Sequence, residues 1–171
     1  MVFTIGGTES AIAGEWFPLR LKGVSPDEWP ELLIRAVPPA KQRELGWKIL
    51  GRKQHLRHRT LKESGKRIRI TEQEFDNEQS LRLGLAGACF ALVDVRRFTC
   101  QPGTPEIAAV LSKALGHQVA PQDEVTLDGR LTDEIKVALF EARLELLEFV
   151  TEKAEAVGRI ELEDESAAGE I

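Results

Sequence analysis

The sequence predicts an α+β fold, predominantly helical, with a small N-terminal β-strand pair packed on three to four helices. Three observations predict it. Two short extended runs, punctuated by prolines, occupy residues 15–37. Later stretches repeat apolar residues at helical spacing. Residues that start and stop helices stand at the ends of those stretches. One domain is expected over residues 1–158, strand-rich to residue 38 and mainly helical from 39 onward. An acidic tail, 159–171, is poor in large apolar groups and is expected to be disordered.

Each element follows from local chemistry. Leu19 and Leu21 alternate with Arg20 and Lys22, the period-two signature of a half-buried strand, and Pro18 confines that strand to an edge or marks its start. Leu32–Val37 reads as the second strand, closed by Pro38-Pro39. Between them Ser25-Pro26-Asp27-Glu28 has the form of a helix start, and Trp29-Pro30 limits it to one turn. Leu45, Ile49 and Leu56, with Trp47 and Leu50 beside them, predict a helix over 40–56, aided by the Glu44–Lys48 pair. Residues 57–70 form a basic stretch with a turn at Ser64-Gly65 and room for a short strand around Ile68–Ile70. Leu81, Leu85, Ala88, Cys89, Leu92 and Val95 fall on one helical face, which predicts a helix over 76–96. Thr104-Pro105-Glu106 starts a helix that Gly116 stops. Residues 117–130 read as a loop with a turn at Asp128-Gly129. Thr132 caps the last helix, with Ile135, Leu139, Ala142, Leu146 and Val150 on its apolar face, widened by Phe140, Leu144 and Leu147, and Gly158 as its stop.

Composition narrows the function classes. The formal net charge of −5 excludes a globally basic nucleic-acid binder. The charge is polarised, however. Residues 1–70 hold 14 Lys/Arg against 7 Asp/Glu, net +7, and residues 71–171 hold 9 against 21, net −12. Such a chain can associate with itself head to tail or offer two faces to partners. Cys89 and Cys100 are too few for a disulfide framework, and Cys89 sits in an apolar run, as a reduced buried thiol does. The N-terminus lacks a positive region and a long apolar core, and no stretch reaches the roughly 20 apolar residues of a membrane span. A soluble, cytoplasmic protein without membrane association is expected.

No catalytic, cofactor or metal constellation stands out. His55 and His58 would share a helix face, but a complete site wants three or four ligands. His117, with Asp123, Asp128 and Ser112 nearby, has no nucleophile-elbow context. Gly6-Gly7 lacks the lysine of a phosphate loop. Residues 41–69 carry eleven Lys/Arg against Glu44 and Glu63. Three uses compete for them, in this order: a solvated face, a dock for an acidic protein surface, and a nucleic-acid patch, the last disfavoured by sparse aromatics. The carboxylates Glu141, Glu145, Glu148, Glu152 and Glu155 read as a solvated helix face or as one half of a self-association interface. The partner-binding residues expected are Trp16, Phe17 and Trp29, with Lys48, Arg52, Arg57 and Arg59 as basic contacts.

Four stretches together resemble a known family. They are Gly14-Glu15-Trp16-Phe17-Pro18, then Ile34-Arg35-Ala36-Val37-Pro38, then Ala88 to Phe98 with Thr99-Cys100 after it, and finally Leu131-Thr132-Asp133-Glu134-Ile135-Lys136-Val137-Ala138-Leu139-Phe140. In this order they look like the small tailed-phage and prophage tail assembly chaperones. The resemblance implies a non-enzymatic helper that binds and solubilises a phage tail structural protein, the tape-measure or tail tube protein, before polymerisation. It transfers a role and no site residue. Residues 101–127 look like an insertion between parts that sit closer together in the family. A nucleic-acid-binding regulator using residues 41–69 is the alternative.

Overall fold

Proline decides where the first strand ends. β1 (Glu15–Pro18) pairs antiparallel with β2 (Glu31–Ile34), with Trp16 opposite Leu33 and Phe17 opposite Leu32. The Leu19 N–H still donates to Pro30 O at 2.8 Å, but Pro30 has no N–H to return the bond. The alternating run Leu19–Lys22, expected as strand, is therefore a link, and Leu21 is exposed. A single 3-10 turn, Pro26–Glu28, follows as Trp29-Pro30 requires, although Ser25 makes no side-chain cap bond. β2 stops at Ile34, short of the expected Val37.

The computed structural model describes residues 14–51, 56–63, 65–73 and 75–168. It is an α+β protein in which helix predominates. The chain divides into two compact units. One comprises residues up to Val37 and from Ala88 on, the other Pro38–Gly87.

The first unit is built on a four-stranded antiparallel sheet of order β1-β2-β5-β6, where β5 is Leu92–Cys100 and β6 is Val125–Gly129. Two corrections arise here. The helix expected over 76–96 is α2 (Asn77–Ala91), and it passes directly into β5. The expected loop 117–130 contains β6. The inner sheet face buries Leu32, Ile34, Leu92, Val95, Phe98 and Leu127. Each such side chain withdrawn from water contributes about 1.5–3 kcal/mol before the entropy of ordering it.

Helices supply the other half of this core. α3 (Pro105–Leu115) packs on α4 (Asp133–Ala142), α4 on α5 (Leu144–Ala168), and α5 on β2. α3 has the ends that its sequence predicts. Thr104 Oγ1 accepts from the Ile107 N–H at 3.3 Å, and Gly116 takes the left-handed conformation at φ 74°. α3 is also an excursion from a hairpin: β5 and β6 pair at Cys100 and Val125, and the Gly103 N–H donates to Pro121 O at 2.9 Å across its base. The single last helix expected from the sequence is two, because Arg143 adopts φ −137°, ψ 96°. α5 does not stop at Gly158 but runs to Ala168, into the acidic stretch expected to be disordered. A Cβ at Gly158 would meet Ala36 Cβ at 3.6 Å, an ordinary van der Waals contact, so neither a stop nor a close approach requires glycine there.

The second unit holds α1 (Pro39–Leu50), which ends at Gly51 and not near residue 56, and a two-stranded sheet. That sheet is the hairpin β3 (Leu56–Glu63) and β4 (Lys66–Gln73), so the short strand expected near Ile68–Ile70 is one arm of an eight-residue pair. The first turns of α2 complete the unit. Asp76 Oδ1 accepts from Gln79 N at 2.7 Å and Gln79 Oε1 accepts from Asp76 N at 3.0 Å, a reciprocal cap. Trp47 and Leu81, expected on apolar stripes, are 54% and 53% exposed.

Candidate functional site

Two features of the first unit determine what it can do. The first is the end of α2. A helix leaves its last four carbonyls without partners. Here three of them are taken by residues distant in sequence. Lys136 Nζ donates to Cys89 O at 2.8 Å, Arg35 Nε to Phe90 O at 2.8 Å, and the Arg35 N–H to Ala91 O at 2.9 Å. The Arg35 guanidinium also lies over the Phe90 ring, 3.7 Å from its centre. Two cations at a helix C-terminus also meet the negative end of its dipole. The clamp makes a glycine cap unnecessary, and the chain turns from helix to strand without a loop.

Burial sets the chemistry of this clamp. Lys136 is 8% exposed, and burial holds its ammonium below the usual lysine range, opposed by Asp133 at 3.9 Å and by Cys89. Burial, with the charge of Asp133, pushes the Cys89 thiol up to about 11, partly offset by Lys136. Burial also raises the Cys100 thiol. Both cysteines are free and protonated near neutrality, which makes them poor nucleophiles.

A pH dependence follows. The folded Cys89 keeps its proton above the unfolded thiol's value of 9.0. Its stabilising contribution is complete below pH 9.0 and is lost as pH rises toward about 11. Lys136, shifted down, works in the opposite sense, gaining as pH rises through its folded value. Cys89→Ala removes the first effect and, because Cys89 opposes the downward shift of Lys136, leaves the second at least as large. The stability of the variant relative to the parent is expected to be higher at pH 10.5 than at pH 7.5, read from urea unfolding at the two pH values. An unchanged difference would rule out the thiol as the source.

The second feature is the outer face of the sheet. β5 carries an extra residue against β6: Val95 pairs with Gly129 and Phe98 with Leu127, leaving Arg96 and Arg97 opposite Asp128 alone. This bulge returns Phe98 to the core and exposes two successive arginines. Arg97 sits at φ 53°, where a non-glycine residue is strained, and its N–H donates to Asp128 Oδ1 at 2.8 Å. The Arg96 guanidinium stacks over Trp16 at 3.7 Å. Glu31 receives both arginines, Arg97 at 3.1 Å and Arg96 at 3.6 Å, and Arg97 Nη2 also donates to Trp29 O at 3.2 Å. The result is an aromatic and guanidinium shelf on the outer face of the sheet.

The structure sorts the residues expected to bind partners. Trp16 is on the shelf. Phe17 lies on the opposite sheet face, in an open depression with Phe149 and Lys153, whose Nζ is 5.6 Å from its ring centre. Trp29 is half-buried and anchors its loop, its indole N–H donating to Val24 O at 3.1 Å and Leu21 O at 3.3 Å. Lys48 is exposed on α1 and pairs with Glu44 at 3.1 Å. Arg57 and Arg59 stand in β3, opposite Glu72 and Ile70 in register. Lys48, Arg57 and Arg59 belong to the second unit, and Arg52 lies outside the described residues. Arg96 and Arg97 were missed because Arg96 closes the helix expected over 76–96 and Arg97 lies just past it. The adjacent arginines at the end of an apolar run were the available signal.

The other chemical candidates have structural roles. Ser112 Oγ donates to Ala108 O and accepts from the Val119 N–H at 2.9 Å, latching the loop after α3. Asp123 Oδ2 accepts from the Ala120 N–H. His58 lies on a strand, not a helix, and His55 lies outside the described residues. Among the described residues no group of three or more His, Cys, Asp or Glu could hold a metal, and no helix is long and apolar enough to cross a membrane. Comparison with protein-family models, curated proteins and solved structures gives no match.

Proposed function

We propose that this chain is a non-enzymatic tail assembly chaperone of the long-tailed-phage type, acting in the host cytoplasm. It would hold a tail component such as the tape-measure protein soluble until polymerisation. One observation carries the reading. The four stretches that resemble the family all lie in the first unit, and residues from three of them meet: Arg35 and Lys136 converge on Cys89–Ala91. The fourth supplies Trp16 to the shelf, where Arg96 stacks on it. Tryptophan and arginine are the side chains that most often dominate binding energy. The tail component would dock there.

Co-expression with a tape-measure protein tests this. The chain is expected to raise the soluble fraction of that protein, and a Trp16→Ala, Arg96→Ala double variant to lose at least tenfold in capture. Arg97→Gly separates binding from folding. Relief of a left-handed residue, about 1–2 kcal/mol, offsets removal of the exposed Arg97 ion pair and hydrogen bond, about 0–1 kcal/mol each. Stability should therefore stay within about 1 kcal/mol while capture falls. A tape-measure protein whose solubility is indifferent to the parent chain would end the proposal.

A further inference from the structure

The second unit carries a surface of a different kind. Residues 38–87 hold 12 Lys/Arg against 6 Asp/Glu, net +6 in a chain whose total is −5. The β3–β4 register distributes that charge unequally. Directly opposite residues in an antiparallel pair share a face, and faces alternate along each strand. On one face Arg57 stands opposite Glu72, Glu63 opposite Lys66, and Leu61 opposite Ile68. Both acids of that face have a cation opposite them, and the apolar pair lies between. On the other face Lys62 stands opposite Arg67, Thr60 opposite Arg69, and His58 opposite Thr71. No carboxylate occurs on it.

Like charges directly opposite are destabilising in a sheet. Lys62 and Arg67 stand opposite each other in the register, with Arg69 two residues further, and a bound anion would offset their like charge. The chemistry of the face selects the anion. Protein interfaces are depleted of charge at their core and need apolar or aromatic anchors. This face has Leu56 at one end and otherwise cations, hydroxyls, an imidazole and an amide. Those are the groups that contact phosphate oxygens. It has no aromatic ring apart from His58, so a stacked single strand is poorly served. A two-stranded ribbon fits the major groove of a duplex, and eight residues at about 3.3 Å each span much of one turn.

We propose that the β3–β4 ribbon binds the phosphate backbone of double-stranded nucleic acid through its Lys62, Arg67 and Arg69 face. The binding is electrostatic and does not depend on sequence. It is separate from the tail-protein shelf, which lies in the other unit.

The probe is a random-sequence 20-base-pair DNA duplex, read by fluorescence anisotropy between about 50 and 200 mM salt. Two triple variants of the full chain remove equal charge: Lys62→Gln, Arg67→Gln, Arg69→Gln on one face, and Arg57→Gln, Arg59→Gln, Lys66→Gln on the other. The parent chain should bind, and three phosphate contacts make binding about 40-fold weaker across that salt range. The first variant should lower the slope of log affinity against log salt by about 2.7. The second should lower it by less than a third of that. Absence of duplex binding at 50 mM salt would overturn the proposal without touching the chaperone reading. Equal losses in the two variants would overturn the assignment to one face. Tighter binding of a single strand, or competition by polyglutamate as effective as by duplex at equal charge, would replace it with a different partner.

Discussion

Arg35→Ala is expected to cost about 3–4 kcal/mol of stability, measured by urea unfolding at neutral pH. Two losses combine. The Nε donor to Phe90 O at 2.8 Å disappears, and a hydrogen bond from a charged donor contributes about 1.5–3 kcal/mol. The guanidinium also leaves the Phe90 ring, a contact of about 0.5–2 kcal/mol. The Arg35 N–H to Ala91 O does not depend on the side chain and survives in the alanine variant, so the strand junction is weakened and not abolished. Arg35→Lys should recover part of the loss, because an ammonium keeps the charge but cannot stack and donate in one plane. A cost below about 1 kcal/mol for Arg35→Ala would mean that water satisfies the end of α2 and the clamp is incidental.

Phe140→Ala should be more severe, at about 3–5 kcal/mol. Phe140 is wholly buried on α4, among a core that includes Val150 on α5 and Leu32 and Ile34 on β2. Its removal takes a large side chain out of close packing and leaves a cavity that a helix held between α3 and α5 can only partly fill. Phe140→Leu, which keeps most of the volume, should cost roughly a third as much. Circular dichroism melts of the three proteins would distinguish a packing role from mere exclusion of water. Alanine and leucine variants of equal stability would contradict a close-packed position.

Legibility in the sequence followed the range of the interactions that decide each element. α3 was readable at both ends because its cap, its proline and its stop glycine all lie within a few residues of the helix they bound. The Thr132 cap of α4 was readable for the same reason: its Oγ1 accepts from the Ile135 N–H three residues away. The change from α2 to β5 was not. Leu92 and Val95 satisfy the helical period begun at Leu81, and they are equally buried as inward positions of a strand. What decides between the two is pairing with β2 and the clamp, contacts 55 and 47 residues away in the chain. Val93, Val95 and Phe98 were the local hint, since β-branched and aromatic residues favour strands. The candidate shelf was half legible. Trp16 was named from its residue type, whereas Arg96 and Arg97 depended on a bulge that only the pairing with Gly129 and Leu127 reveals.

The α3 excursion leaves the sheet at Cys100 and rejoins it at Val125, two residues that face each other across the ladder. The piece between them is therefore anchored to the sheet at a single point, and its length can change while both strands keep their partners. What it cannot lose without cost is the cover over α4 that Ala108 and Leu111, both buried, provide. Residues added in the links on either side of α3 would lengthen the excursion and leave the sheet and the shelf as they are.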